Sequence, residues 1–281
     1  MNYRRIKKVH GFSLLEMSIV LAIVALLLTG LIPSISSQIE QKRRADTSKY
    51  LDDVKDALYG FAISNGRLPC PASTTSNGKE SFCTGNISVS PCVPTTTVQV
   101  HGHCSNPYDG LLPAVTLGLS PTDAQGYSTD AWGGAQNRVR YAVYEGQISG
   151  GTNNYSTFTA SGEIKIATMA SIATTTPLLS VCASASTSHT SCSGAGVITL
   201  TNQAPAIIYS AGLNAATGGT STDESANPNP NTPANSLNID PVFVSHESAT
   251  ASSTNGEFDD MVTWLSTGVL FNRMLTAGQL P

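Results

Sequence analysis

The chain has 281 residues, only 12% of them charged, and a formal net charge of −4. This length suits one large domain or two small ones. Six cysteines in a chain rich in serine, threonine, asparagine and glycine are typical of an exported protein in an oxidising compartment. The bulk of the chain has no strongly basic patch, so the composition gives no support for nucleic-acid binding.

The first element is an apolar stretch behind a basic leader. Four basic residues precede Gly11, and residues 12–32 carry one charge, that of Glu16. A helix of this length would extend roughly 31 Å, about the thickness of a bilayer's hydrocarbon core. The leader charges predict a cytoplasmic amino terminus, although three basic residues at 42–44 weaken this bias. This stretch differs from a secretory signal, which would have a shorter apolar core followed by a small-residue cleavage site.

The carboxylate of Glu16 is costly within an apolar helix and therefore calls for an explanation. The helix dipole could stabilise it near the amino end, or it could face the interior of a bundle. A third interpretation comes from the segment Gly11-Phe12-Ser13-Leu14-Leu15-Glu16. This segment resembles the processing and methylation site of type IV pilins and type II secretion pseudopilins.

The resemblance implies that a prepilin peptidase cleaves between Gly11 and Phe12 and that Phe12 is then N-methylated. Glu16 would become the fifth residue of the mature chain and pair with the amine of an adjacent subunit during assembly. Opposite charges attract strongly at low dielectric, and an unpaired one is costly there.

The resemblance also implies partners and a location. The partners are the prepilin peptidase, other pilin or pseudopilin subunits, the inner-membrane assembly platform and the membrane itself. The protein is expected to cross the inner membrane once, with its amino terminus cytoplasmic and its head periplasmic, before it enters a pilus or pseudopilus.

Pro33 ends the apolar run, and its missing amide hydrogen predicts a kink in the helix there. Beyond it, Leu51, Val54, Leu58 and Phe61 lie three or four residues apart, which places them on one helix face. Asn65-Gly66 is a helix stop. We therefore predict a cleaved leader at 1–11, a helix at 12–65 and a globular periplasmic or extracellular head at 66–281. Residues 12–32 of that helix form the membrane span or filament core.

The cysteines predict a head stapled by disulfides. Cys182 and Cys192 are isolated from the others and are expected to pair. Cys70, Cys83, Cys92 and Cys104 lie in a loop region at 67–110 and can pair in three ways. Pairing of Cys70 with Cys83, and of Cys92 with Cys104, is the simplest local choice, but the spacing does not decide among the three.

Short segments bounded by Gly, Pro, Ser or Asn predict an antiparallel sheet. They are residues 138–144, 163–169, 178–182, 197–201, 206–210, 241–246 and 259–265. Residues 214–238, rich in Pro and Asn, predict a surface loop. A final helix is predicted through Leu270 and Met274. The expected fold is α+β and pilin-like, with the long amino-terminal helix packed on a sheet that carries long, disulfide-stapled loops.

Asp259 and Asp260 are candidates for a calcium site, because pseudopilins of the major type bind calcium in a carboxy-terminal loop. Two adjacent carboxylates do not supply the about six to eight oxygens that calcium requires. The alternative to calcium binding is that Asp259 and Asp260 cap backbone amides. His101, His103 and Cys104 are close in sequence but fit no standard zinc spacing. We expect no cofactor apart from a possible calcium ion.

The sequence lacks a glycine-rich phosphate loop and the motifs Gly-x-Ser-x-Gly, His-Glu-x-x-His and Cys-x-x-Cys. We therefore predict a non-catalytic filament subunit, a minor pilin or pseudopilin of a type IV pilus or type II secretion system. One alternative is an adhesin or ligand-binding protein, for a surface or for DNA, displayed on a pilus. Another is a membrane-anchored periplasmic enzyme, which would need a pocket with converging polar groups.

Overall fold

The computed structural model describes residues 11, 13–85, 92–148, 153–174, 177–217, 221–227 and 240–280, without the side chains of 27–36 and 173–174. The chain forms two compact units, Met1–Ala45 and Asp46–Pro281. A long helix, α1 (Leu14–Asn65), includes residues of both. The other described elements are, in chain order, β1 (Phe82–Cys83), β2 (Pro94–Thr95), β3 (Gly110–Leu111), α2 (Ala114–Leu117), β4 (Arg140–Val143), α3 (Met169–Thr174), β5 (Leu179–Cys182), β6 (Thr199–Ala204), β7 (Ala206–Ser210), α4 (Thr222–Ser225), β8 (Val242–Val244), β9 (Met261–Trp264) and α5 (Thr267–Thr276).

In the first unit, helix α1 exposes large apolar side chains over residues 14–26, with Glu16 and Ser18 among them. Leu14 is 90% exposed and Leu26 is 78% exposed. Among the side chains that are described, no helix is long and apolar enough to cross a membrane. The predicted membrane segment, residues 12–32, lies partly outside those side chains and stays a prediction. The kink predicted at Pro33 also stays a prediction, because the side chain of Pro33 lies outside the described residues.

In the second unit, the end of helix α1 forms one wall of the core. The predicted side chains Leu51, Val54 and Leu58 are buried, whereas Phe61 is only half-buried and Ala62 takes the inward position instead. The helix ends where predicted, because Gly66 adopts a φ of 67° and its amide donates to the carbonyl of Ala62.

A four-stranded antiparallel sheet, in the order β3-β4-β7-β9, forms the central layer of this unit. Side chains of β4 and β7 alternate between its two faces. Tyr141 and Ile208 pack in the same cluster as helix α1 and helix α5. Ala142 and Ile207 face the opposite way, into a cluster shared with β5 and β8. Both faces are therefore covered, which explains why β4 and β7 are buried along their whole length.

A second sheet, in the order β6-β5-β8, corrects the prediction of wholly antiparallel pairing. Strands β5 and β6 are antiparallel, but β5 and β8 are parallel, with Val181 opposite Phe243. Parallel neighbours require a long crossover connection, and β6, β7 and α4 lie between these two strands in the sequence.

The prediction of a strand at 163–169 is wrong. The segment forms a 3-10 helix, Glu163–Lys165, and then begins helix α3. The reason is local hydrogen bonding, because the amide of Ser171 donates to Thr168 Oγ1 and the amide of Thr168 donates to Ser171 Oγ. These reciprocal bonds start a helix where the apolar pattern alone predicts a strand.

Three disulfides join the cysteines. Cys182 pairs with Cys192 as predicted, but the local choice for the other four is wrong. Cys70 pairs with Cys104, and Cys83 pairs with Cys92. The cause lies in the strands. Cys83 on β1 lies opposite Pro94 on β2, which brings Cys92 close to Cys83. An antiparallel β-bridge between Phe82 and Cys104 places Cys104 beside β1.

Candidate functional site

The predicted processing segment lies at the start of helix α1. Gly11 is exposed and outside the helix, whereas Phe12 lies outside the described residues. The backbone amide of Ser13 donates to Glu16 Oε2 at 2.8 Å, and the amide of Glu16 donates to Ser13 Oγ at 3.2 Å. This reciprocal pair is a capping box, which satisfies two amides that a helix start leaves without intrahelical partners.

A buried group of three carboxylates forms the second site. Glu224 lies in helix α4, and Asp259 and Asp260 immediately precede strand β9. One oxygen from each residue lies within 4.8 Å of the others. Glu224 and Asp259 are 2% and 3% exposed, and Asp260 is the most exposed of the three. The predicted pair thus gains a third carboxylate from a distant part of the chain.

Hydrogen bonds hold this group in place. Glu224 Oε1 accepts from Asn214 Nδ2 at 2.9 Å and from the backbone amide of Asp259 at 2.8 Å. Asp259 Oδ2 accepts from the backbone amides of Leu213 and Asn214. Gly212 precedes this turn with a φ of 63°, and a side chain there would collide with Asp259. The alternative role predicted for this aspartate, the capping of backbone amides, is therefore observed.

The electrostatics of the three carboxylates are unfavourable for three free anions. Burial, together with the neighbouring Glu224 carboxyl, raises the pKa of Asp259 to about 7. Burial also raises the pKa of Asp260 to about 8, although a hydrogen bond from Asn227 opposes this shift. Asp259 Oδ1 is buried and has no hydrogen-bond partner within the described part of the chain. A buried carboxylate oxygen of this kind is costly unless a proton or a cation accompanies it.

The donor set fits a hard cation. Carboxylate oxygens without histidine or cysteine suit calcium or magnesium, and three carboxylates offer up to about six oxygens. The unpartnered Asp259 Oδ1 supplies a free lone pair. Glu224, Asp259 and Asp260 are the residues that would hold the ion, and its binding stays a prediction.

Glu224 is not among the residues that the sequence predicts for this site, because residues 214–238 are predicted to form a surface loop. That prediction is wrong at residues 221–227, where Asp223, Glu224 and Asn227 are buried. The sequence does contain a signal. Ser221-Thr222-Asp223-Glu224 has the spacing of a capping box, and Ser221 Oγ accepts from the Glu224 amide.

His103, near Cys104, has structural contacts. Nδ1 of His103 lies 3.2 Å from Glu145 Oε1, and its Nε2 lies 2.7 Å from the carbonyl oxygen of Asn154. The amide of Cys104 donates to the same Glu145 oxygen. Both ring nitrogens of His103 thus have partners beside a disulfide.

Comparison with known families identifies the amino terminus. The prokaryotic N-terminal methylation motif matches residues 6–32. The chain therefore carries the type IV pilin and pseudopilin signature, as the sequence predicts. This signature implies processing by a prepilin peptidase and assembly with other pilin subunits. No curated protein and no solved structure gives a significant match to the chain.

Proposed function

We propose that the protein is a non-catalytic filament subunit, a minor pilin or pseudopilin of a type IV pilus or type II secretion system. The methylation motif at residues 6–32 is the observation that carries the proposal. The apolar surface over residues 14–26 supports it, because a surface of that kind requires a membrane or other helices to cover it.

Assembly follows from the chemistry of the mature amino terminus. Cleavage after Gly11 would create a positively charged amine at Phe12, and Glu16 would pair with that amine on an adjacent subunit. The subunit would wait in the inner membrane, with its head in the periplasm, until the assembly platform moves it into the filament. The three disulfides suit a head that faces an oxidising compartment.

The size of the head supports a minor subunit over a repeating one. The second unit extends from Asp46 to Pro281, and heads of this size would crowd a helical array if every subunit carried one. A minor subunit, of which few copies enter each filament, avoids this crowding.

The mature amino terminus tests the proposal directly. In cells that contain a prepilin peptidase, mass spectrometry is expected to find a chain that begins with N-methylated Phe12. The same protein from cells without the peptidase is the control and should retain Met1 and the whole leader. An intact leader in the presence of an active peptidase, or cleavage at another bond, would contradict the proposed function.

A second role is calcium binding by Glu224, Asp259 and Asp260. The ion would neutralise Asp259 and Asp260, which burial disfavours as anions, and it would connect helix α4 to the start of strand β9. Calcium would thus stabilise the head, because a ligand that binds only the folded state raises the free energy of unfolding.

Thermal unfolding with and without calcium tests this role. At a calcium concentration about 100 times the Kd, the stabilisation is about 2.7 kcal/mol, which corresponds to a rise in Tm of about 5 to 10 °C. Asp259→Asn should lose the calcium-dependent rise, and Asp46→Asn, at an exposed aspartate outside the group, should keep it. A wild-type Tm that is the same in millimolar calcium and in chelator would refute the calcium site.

A further inference from the structure

The turn before strand β4 contains a buried carboxylate, Asp130, that is not one of the three candidate calcium ligands. Asp130 and Asn137 are 6% and 8% exposed. Asp130 Oδ1 accepts from the backbone amides of Trp132 and Gly133 at 2.9 and 3.3 Å, so this oxygen closes its own turn. Asp130 Oδ2 accepts from Asn137 Nδ2 at 3.1 Å and from Ser210 Oγ at 2.5 Å. The second oxygen therefore joins the turn to the end of strand β7.

Both partners of Asp130 Oδ2 also bind Gly212. Asn137 Nδ2 donates to the Gly212 carbonyl at 2.6 Å, and Ser210 Oγ accepts from the Gly212 amide at 3.2 Å. The two backbone polar groups of this glycine are thus held by side chains that are hydrogen-bonded to one carboxylate oxygen. Removing one member of a buried network of this kind leaves its partners unsatisfied. The position of Gly212 therefore depends on Asp130.

Gly212 directly precedes the two amides that hold Asp259. Asp259 Oδ2 accepts from the amides of Leu213 and Asn214 at 2.7 and 3.1 Å. A shift of Gly212 would move both amides, because they follow it in the same turn. Since these bonds use Oδ2, they leave Asp259 Oδ1 for a cation. The orientation of the Asp259 carboxylate thus depends on the turn at Gly212.

The turn that contains Asp130 is itself bonded to helix α1. The amide of Ala131 donates to Thr47 Oγ1 at 3.2 Å, and Thr47 is completely buried. Because this part of helix α1 forms one wall of the core, the bond attaches the turn to a rigid element, which is the kind of support that a precise binding site requires.

We propose that Asp130 is a positioning residue for calcium binding: it holds the turn at Gly212 in place and so orients the Asp259 carboxylate for the cation. The inference rests on the calcium role proposed above. It goes beyond that role, because Asp130 lies 129 residues before Asp259 and is not itself a ligand. Groups that orient metal ligands in this way typically contribute a factor of about 10 to 100 in affinity.

Calorimetric titration of the full-length chain in detergent micelles with calcium chloride tests this inference. In Asp130→Asn, the amide oxygen can still accept from the two amides of its own turn, but an NH2 group replaces the oxygen that Asn137 and Ser210 bind. The turn is kept and its connection to Gly212 is lost, so the Kd for calcium should rise about 10- to 100-fold. Ser210→Ala removes part of the same connection while Asp130 stays in place, and its Kd should also rise.

A matched control separates positioning from a general loss of stability. Tyr127→Phe removes a buried hydroxyl that donates to the carbonyl of Ser73 at 2.8 Å, in a separate apolar cluster. This control should lower the Tm measured in chelator, as Asp130→Asn does, but it should leave the Kd for calcium unchanged.

A raised Kd in both Asp130→Asn and Ser210→Ala, with a wild-type Kd in Tyr127→Phe, supports the inference. A wild-type Kd in Asp130→Asn or in Ser210→Ala, or an equal rise in Tyr127→Phe, overturns it while leaving the calcium role intact. If the wild-type chain itself binds no calcium, the calcium role fails and this inference fails with it.

Discussion

Replacing Glu16 by glutamine is expected to yield a subunit whose leader is removed but which hardly enters filaments. Glutamine can still cap the helix, because the capping box accepts either Glu or Gln at this position. It has no charge to pair with the amine of Phe12 on a neighbouring subunit. Removing one partner of a buried ion pair costs about 3 to 5 kcal/mol, so incorporation should fall by at least about 100-fold.

The measurement is the ratio of sheared filament to membrane fraction in cells that lack the wild-type copy. Glu40→Gln is the matched control, because Glu40 lies in the same helix and pairs with Arg44 at the helix surface, where such a pair contributes little. This control should enter filaments normally. Wild-type incorporation of Glu16→Gln would show that the carboxylate charge has no role in assembly.

Loss of the disulfide between Cys70 and Cys104 is expected to destabilise the head more than loss of the disulfide between Cys83 and Cys92. This bond closes a loop of 34 residues, whereas the bond between Cys83 and Cys92 closes one of 9 residues. Loop entropy alone then predicts losses of about 4 and about 2.5 kcal/mol. Cys70 and Cys104 are also buried in the main core, so their removal leaves a cavity, whereas Cys92 is exposed.

Denaturant unfolding of two double variants measures this difference. One carries Cys70→Ala with Cys104→Ala, and the other carries Cys83→Ala with Cys92→Ala as its matched control from the same loop region. The first should lose more free energy of unfolding by at least about 1 kcal/mol. Equal losses, or the opposite order, would show that the disulfide between Cys70 and Cys104 does not stabilise the head more than the disulfide between Cys83 and Cys92.

Several strands could be predicted closely because their signals are local. Residues 206–210 are predicted as a strand and form β7, and residues 178–182 differ from β5 by one residue. Both are apolar, rich in residues that favour strands, and bounded by turn formers. The segment 163–169 alternates Ile164 and Ile166 with charged residues, yet hydrogen bonds between Thr168 and Ser171 start helix α3 at its end.

The calcium candidates show the limit of local patterns in a different way. Asp259 and Asp260 could be found because they are adjacent in the sequence. Glu224 lies 35 residues before Asp259, with its carboxylate bonded to the Asp259 amide. No period or spacing links two such segments, because their proximity depends on the packing of helix α4 against the start of strand β9.

The sequence by itself determined the amino-terminal signature, the end of the long helix, and the pairing of Cys182 with Cys192, whereas the helix begins at Leu14 and not at residue 12. These features depend on residues that are neighbours along the chain: a basic leader, a glycine with positive φ and a short loop. Only the tertiary structure decided which of the four remaining cysteines pair and which carboxylate joins Asp259. Those choices depend on contacts between distant segments, and burial in a shared core selects one arrangement from several that the spacing allows.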